Sequence, residues 1–156
     1  MRRKDREVTD QKKIEEIIQA CDCCRIGLAD DGKVYIVPLS FAYVRESGKE
    51  CFYFHGAPQG RKLDIIRRNG LAGFELDTGC QLQEAEIACG YSCRYQSVIG
   101  SGRITIIEER EEKLKGLNHI MGHYSGRSDW SFDERMADMV TVLRLDIEEL
   151  SCKEHE

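Results

Sequence analysis

The sequence predicts a mainly β domain of the α+β class, an antiparallel barrel with peripheral helices. Short apolar runs with two-residue alternation recur along the 156 residues, separated by turn signals such as Asp31-Gly32 and Ser47-Gly48. Few segments between them carry the helical period, so hairpins rather than βα units dominate. The length suits one domain, residues 1–156, with enough apolar residues for a real core.

Each element has its own signal. Residues 1–8 are highly charged and expected to fray. Thr9 or Asp10 can cap a helix in which Ile14, Ile17, Ile18 and Cys21 fall on one face, ending near Cys23 or Cys24. Arg25–Ala29 reads as a strand, Asp30–Lys33 as a hairpin turn, and Val34–Val44 as a long strand. Pro38 cannot donate to a ladder, so that strand must lie at an edge, be bulged or be interrupted.

After a turn at Glu46–Lys49, Cys51–His55 alternates Cys51, Tyr53 and His55 on one face against Phe52 and Phe54 on the other. A helix from Gly60 to Asn69 buries Leu63 and Ile66 and stops at Gly70. Leu71–Leu76 is a strand followed by a turn at Asp77-Thr78-Gly79. Glu84–Cys89 and Gln96–Ile107 are further strands, divided by a polar-aromatic corner over Gly90–Tyr95. Gly100 and Gly102 imply a bend or a close backbone approach. Helices over Glu108–Tyr124 and Phe132–Asp138 precede a last strand, Val140–Ile147.

Composition excludes several classes of function. A net charge of -5 argues against nucleic acid as the main partner. No apolar run approaches a membrane span, and the charged start has no following apolar segment, so a cytoplasmic protein is expected. The eight cysteines then read as reduced, mostly buried thiols. Cys21-Asp22-Cys23-Cys24 has no second ligand pair at zinc spacing, and His119 and His123 lack the glutamate of a metalloprotease helix, so no metal is assigned. The His pair is expected to be solvated or at an interface. No nucleophile elbow, P-loop or dinucleotide fingerprint occurs.

The best-equipped stretch is Phe52–Leu63, a strand running through His55-Gly56 into a helix that opens with Arg61-Lys62. Cations at a helix N-terminus oppose its partial positive charge. Either an anion such as phosphate joins them, or both point to water. Tyr95-Gln96-Ser97-Val98 offers hydroxyl and amide groups that suit a heteroaromatic ligand, or a packed tyrosine turn.

Taken together, Cys24–Leu28, Tyr35–Phe41, Phe52–Ala57, Gly60–Leu63, Tyr95–Gly102 and His123–Gly126 resemble the FMN-binding split-barrel family of pyridoxamine 5′-phosphate oxidase-like proteins. The nearest likeness is to its Nim-type nitroimidazole-reductase branch. The resemblance implies a six-stranded antiparallel split β-barrel that forms a homodimer with FMN at the subunit interface. It implies that Arg61 and Lys62 hold the flavin phosphate, and that Pro38, Leu39, Ser40 and Phe41 line the ring. His55 and Gly56 would sit at the strand end beside it, and Tyr95, Ser97 and Val98 would reach it from the partner subunit.

The activity implied is an FMN-dependent oxidoreductase acting on nitroaromatic, nitroimidazole or related small molecules, with His55 as the candidate proton donor. Turnover of another small metabolite, or a non-catalytic flavin carrier or sensor, are the alternatives. Relatives that oxidise pyridoxamine phosphate end in an Arg-Leu-x-Pro-type segment. Arg144-Leu145-Asp146-Ile147 has no proline, which argues against a vitamin B6 substrate.

Overall fold

A computed structural model of the protein describes residues 3–155. The strands are β1 (Glu7–Val8), β2 (Cys24–Asp30), β3 (Lys33–Leu39), β4 (Phe41–Glu46), β5 (Lys49–Gly56), β6 (Leu71–Gln83), β7 (Ser92–Ile106) and β8 (Thr141–His155). The helices are α1 (Gln11–Gln19), α2 (Arg61–Asn69), α3 (Arg110–Ser125) and α4 (Glu134–Asp138).

One antiparallel sheet runs β3-β2-β6-β7-β8-β5-β4, with β1 added to β8. Among the described residues it therefore has eight strands rather than the six expected, and no ladder closes it. Its two outermost strands, β3 and β4, are nonetheless consecutive in the chain and separated only by Ser40. The sheet must curl until its edges meet at that residue. Pro38, on edge strand β3, has no N–H to offer a closing ladder, so the predicted strand 34–44 becomes two strands at a seam.

Three further expectations are corrected. Part of the charged N-terminus is ordered as a 3₁₀ turn (Lys4–Arg6) and β1, which pairs Val8 with Cys152; residues 1 and 2 lie outside the described residues. Glu84–Cys89 is not a strand but irregular chain leading into a 3₁₀ turn at Ala88–Gly90. The turn foreseen at Asp77–Gly79 is instead a bulge inside β6, where Gly79 takes a φ of 66°.

The last strand runs eight residues beyond Ile147, for a reason the bulge at Glu148 explains. Gly102 pairs with Ile147 and Ser101 with Glu149, leaving Glu148 as an extra residue. The inward positions change from Leu143 and Leu145 before it to Leu150 and Cys152 after it. A simple two-residue period fails at that step. The predicted glycines permit this crossing: a Cβ on Gly102 would lie 2.0 Å from the Asp146 carbonyl oxygen, and one on Gly100 2.1 Å from that of Glu149.

The alternation read for β5 is present. Phe52 and Phe54 enter the main core with Phe41, Phe74 and the α1 residues Ile17 and Ile18. Tyr53 and Cys51 face the other way, under Leu117 and Ile120 of α3. Asp10 caps α1 by accepting from the Lys13 N–H at 2.9 Å, and the helix stops at Gln19, earlier than expected. Cys21, Cys24, Cys51 and Cys152 are buried, but Cys80 and Cys89 are exposed and Cys23 and Cys93 half-buried, so the thiols divide evenly.

Candidate functional site

The strand end of β5 and the start of α2 form a polar corner. Phe41 pairs with Phe54, which brings the preceding Ser40 to the level of His55. Pro38 and Ser40 are exposed, and Leu39 is half-buried. Lys62 folds back across the strand end, so that a Cβ on Gly56 would meet its ammonium at 2.7 Å unless the flexible lysine chain moved aside.

Gly60 gives α2 no capping side chain, so its leading N–H groups are left for solvent or an anion. The two cations part company. Lys62 turns to Gly56, whereas Arg61 donates from Nε to the Asp30 carboxylate at 2.9 Å and lies 4.8 Å over the Tyr35 ring. Arg68 also binds Asp30. One carboxylate thus faces two guanidiniums, with the Lys62 ammonium beside them in the chain. The excess of positive charge favours an anion.

The His55 ring reaches solvent, yet surrounding protein lowers its pKa, first by burial and then by the Lys62 charge. The imidazole is therefore mostly neutral at neutral pH. Folding stability drawn from this group is present above the unfolded-state value near 6.5 and declines as pH falls below it. An NMR titration should place His55 below 6.5. Lys62→Met should raise it only part of the way back, since burial is the larger cause.

The second set lies elsewhere. Tyr95 pairs with His155 and Ser97 with Lys153 at the far end of β8, whereas His55 pairs with Val142 near its start. At about 3.3 Å per residue that is up to roughly 40 Å of curved strand. No hydrogen bond, ion pair or ring contact joins the two sets within one chain among the described residues. Two predicted residues, Phe41 and Val98, are fully buried and expose neither side chain nor backbone. The Tyr95 hydroxyl accepts from Arg6 at 3.4 Å.

His123 and Tyr124 support the corner instead of lining it. Tyr124 donates its hydroxyl to the Asp22 carbonyl at 2.9 Å and accepts the Phe41 N–H at 3.2 Å. His123 Nε2 lies 2.9 Å from the Cys21 carbonyl oxygen, and its ring packs 4.4 Å from Phe41. His119 stacks on Tyr53. Both histidines are partly buried and packed inward, not solvated. These anchors hold the Leu39–Phe41 seam, a role the sequence did not reveal because its partners lie about a hundred residues away. Tyr124→Phe should lower stability by about 1 kcal/mol, since two backbone groups lose their partner with water partly replacing it; a thermal melt reads this.

Arg144 is likewise engaged within the fold. It donates to Glu112 at 2.7 Å and to Asp146 at 2.8 Å, and its guanidinium lies 5.8 Å from the Tyr53 ring centre, tying β8 to α3.

A curled antiparallel sheet with a cationic strand-to-helix corner at its seam defines a split-barrel protein. The sequence model described as pyridoxamine 5′-phosphate oxidase matches residues 10–154, and the chain belongs to that family. Among solved structures, a protein from Bacteroides thetaiotaomicron provisionally assigned to 5-nitroimidazole antibiotic resistance is 30% identical, with 95% of this chain and 86% of that one aligned at a TM-score of 0.81. The flavocytochrome Anf3 from Azotobacter vinelandii aligns over 100% of this chain and 72% of its own, at 21% identity and a TM-score of 0.81. An FAD and heme binding protein from Mycobacterium smegmatis aligns over 97% and 74%, at 18% identity and 0.80. The last two bear on the fold alone. A search of the curated proteins gave no match.

Proposed function

We propose that this protein is an FMN-dependent oxidoreductase, active as a cytoplasmic homodimer, that reduces nitroaromatic or nitroimidazole compounds. The observation that carries the reading is the division of the candidate residues into two sets on one chain. The corner of Ser40, His55, Gly56 and Lys62 and the distant Tyr95–Val98 segment suit a flavin held between two copies, each supplying one set. The family membership and the Bacteroides relative support the flavin and the nitro substrate respectively.

The sheet also leaves a face that suits a second copy. Gly27, Gly73 and Ser101 align across β2, β6 and β7, flanked by the exposed side chains of Val34, Ile36 and Ile99. No helix packs there among the described residues. Small residues with exposed apolar neighbours favour close, self-complementary packing.

In this reading Lys62 and the leading N–H groups of α2 bind the phosphate, and Arg61 adds to the field from its place beside Asp30. Ser40 and the seam backbone border the ring. Bound FMN supplies the two-electron redox chemistry, and the protein provides position and charge. His55 lies at the edge of the site, where its protonated imidazolium, the minor form at neutral pH, can pass a proton to a reduced substrate and regain one from water.

The test is uptake of FMN by purified protein, followed after desalting by the flavin absorption band. Retained flavin that is reoxidised rapidly by a nitroimidazole supports the proposal. Absence of uptake overturns it, and retained flavin reoxidised only slowly by oxygen would replace the enzyme with a carrier or sensor.

A further inference from the structure

A pair of thiols lies outside the corner. Cys80 and Cys93 face each other across β6 and β7 with their sulfurs 2.9 Å apart. That is closer than an ordinary non-bonded contact and still open compared with a disulfide of about 2.05 Å. Both are free thiols, Cys80 exposed and Cys93 half-buried.

The local backbone explains the approach. Thr78 pairs with Gln96 and Gln81 with Arg94, so Gly79 and Cys80 together oppose the single residue Tyr95. This bulge turns Cys80 toward Cys93, and Gly79 with its positive φ gives the segment room to adjust. Cys93 is fixed from its other side, because His155 Nδ1 lies 2.7 Å from its carbonyl oxygen.

We propose that Cys80 and Cys93 form a reversible dithiol–disulfide site that reacts with small disulfides of the glutathione type. One thiolate attacks a sulfur of the small disulfide, forming a mixed disulfide and releasing one small thiolate. The second protein thiol loses its proton and attacks the first protein sulfur, closing the Cys80–Cys93 bond and expelling the other small thiolate. Two protein thiols are oxidised by two electrons, and one small disulfide is reduced to two thiols.

Selectivity follows from the rest of the molecule. Burial raises the pKa of Cys21 to about 12 and those of Cys51 and Cys152 to about 11, and it pushes Cys24 upward as well. Those four stay protonated and out of reach. The hydrogen bond with Cys93 raises the pKa of Cys80, but Cys80 is exposed and stays within reach of a small disulfide. The bond would close the loop that carries the exposed Leu82, Ile87 and Tyr91. Neither the site nor its reaction depends on a flavin.

The test treats the reduced full-length protein with graded mixtures of reduced and oxidised glutathione, followed by acid quenching and peptide mapping. The expected result is one intramolecular cross-link, Cys80–Cys93, that dithiothreitol reverses. Cys80→Ser and Cys93→Ser should each abolish it and leave a glutathione adduct on the remaining partner. Circular dichroism of the variants in reducing buffer should match the parent. A cross-link through the exposed Cys89 instead, adducts without ring closure in the parent, or no reaction at all would each overturn the proposal.

Discussion

Gly102→Ala should cost about 3 kcal/mol or more of folding stability, read as a fall in the urea midpoint. The added methyl would sit 2.0 Å from the Asp146 carbonyl oxygen and 2.9 Å from its carbon. Overpacking in a core usually costs about 1–3 kcal/mol because side chains can move aside. Here the obstacle is the backbone of the paired strand at its bulge, which can yield only by breaking the β7–β8 ladder. Gly73→Ala serves as the comparison, since its methyl would meet only the Gly100 carbonyl oxygen at 3.7 Å, an ordinary contact. It should change stability by no more than about 0.5 kcal/mol. Equal effects at the two positions would show that glycine acts in β7 through flexibility instead of through space.

Lys62→Met should weaken FMN by about 10- to 150-fold, with little change for riboflavin, which lacks the phosphate. The range corresponds to about 1.5–3 kcal/mol for one charge-assisted contact. Arg61→Ala should cost less for FMN, because the Arg61 guanidinium is already held by Asp30 and Tyr35. Isothermal titration with both ligands separates the cases. A loss of equal size for FMN and riboflavin would mean that Lys62 acts by shaping the strand end over Gly56. If Arg61→Ala proved the more damaging of the two, the phosphate would lie on the Asp30 side of the helix start.

Where the chain kept a regular period, the fold was legible. The alternation of Cys51–His55, the αL stop at Gly70 and the hairpin turn at Asp31-Gly32 all rest on local chemistry, and the structure contains them. The misreadings fall where register shifts. The bulge at Glu148 reverses the inward phase of β8, and the bulge at Gly79 lets β6 continue past a convincing turn signal. Pro38 announced an interruption, but only the topology shows that it stands at the meeting of the two sheet edges. Arg61 and Lys62 read as an equivalent pair because nothing local distinguishes them. Asp30, thirty-one positions away, separates their roles. The supporting task of His123 and Tyr124 was hidden for the same reason.

The seam at Ser40 has a consequence for how the molecule assembles. The neighbours β2–β3, β4–β5 and β6–β7 are hairpins or near-hairpins that can zip locally, but β5 finds its other partner only in β8. His55 must therefore wait for Val142, more than half the chain away. Long-range pairing of this kind pays its loop entropy before it gains contacts, which slows folding. The Gly56–Lys62 corner sits at the end of that last ladder, so it is among the final parts to take shape. Nascent or partly folded chains would carry no competent corner, and capture of the flavin proposed for it would follow formation of the β5–β8 ladder instead of guiding it.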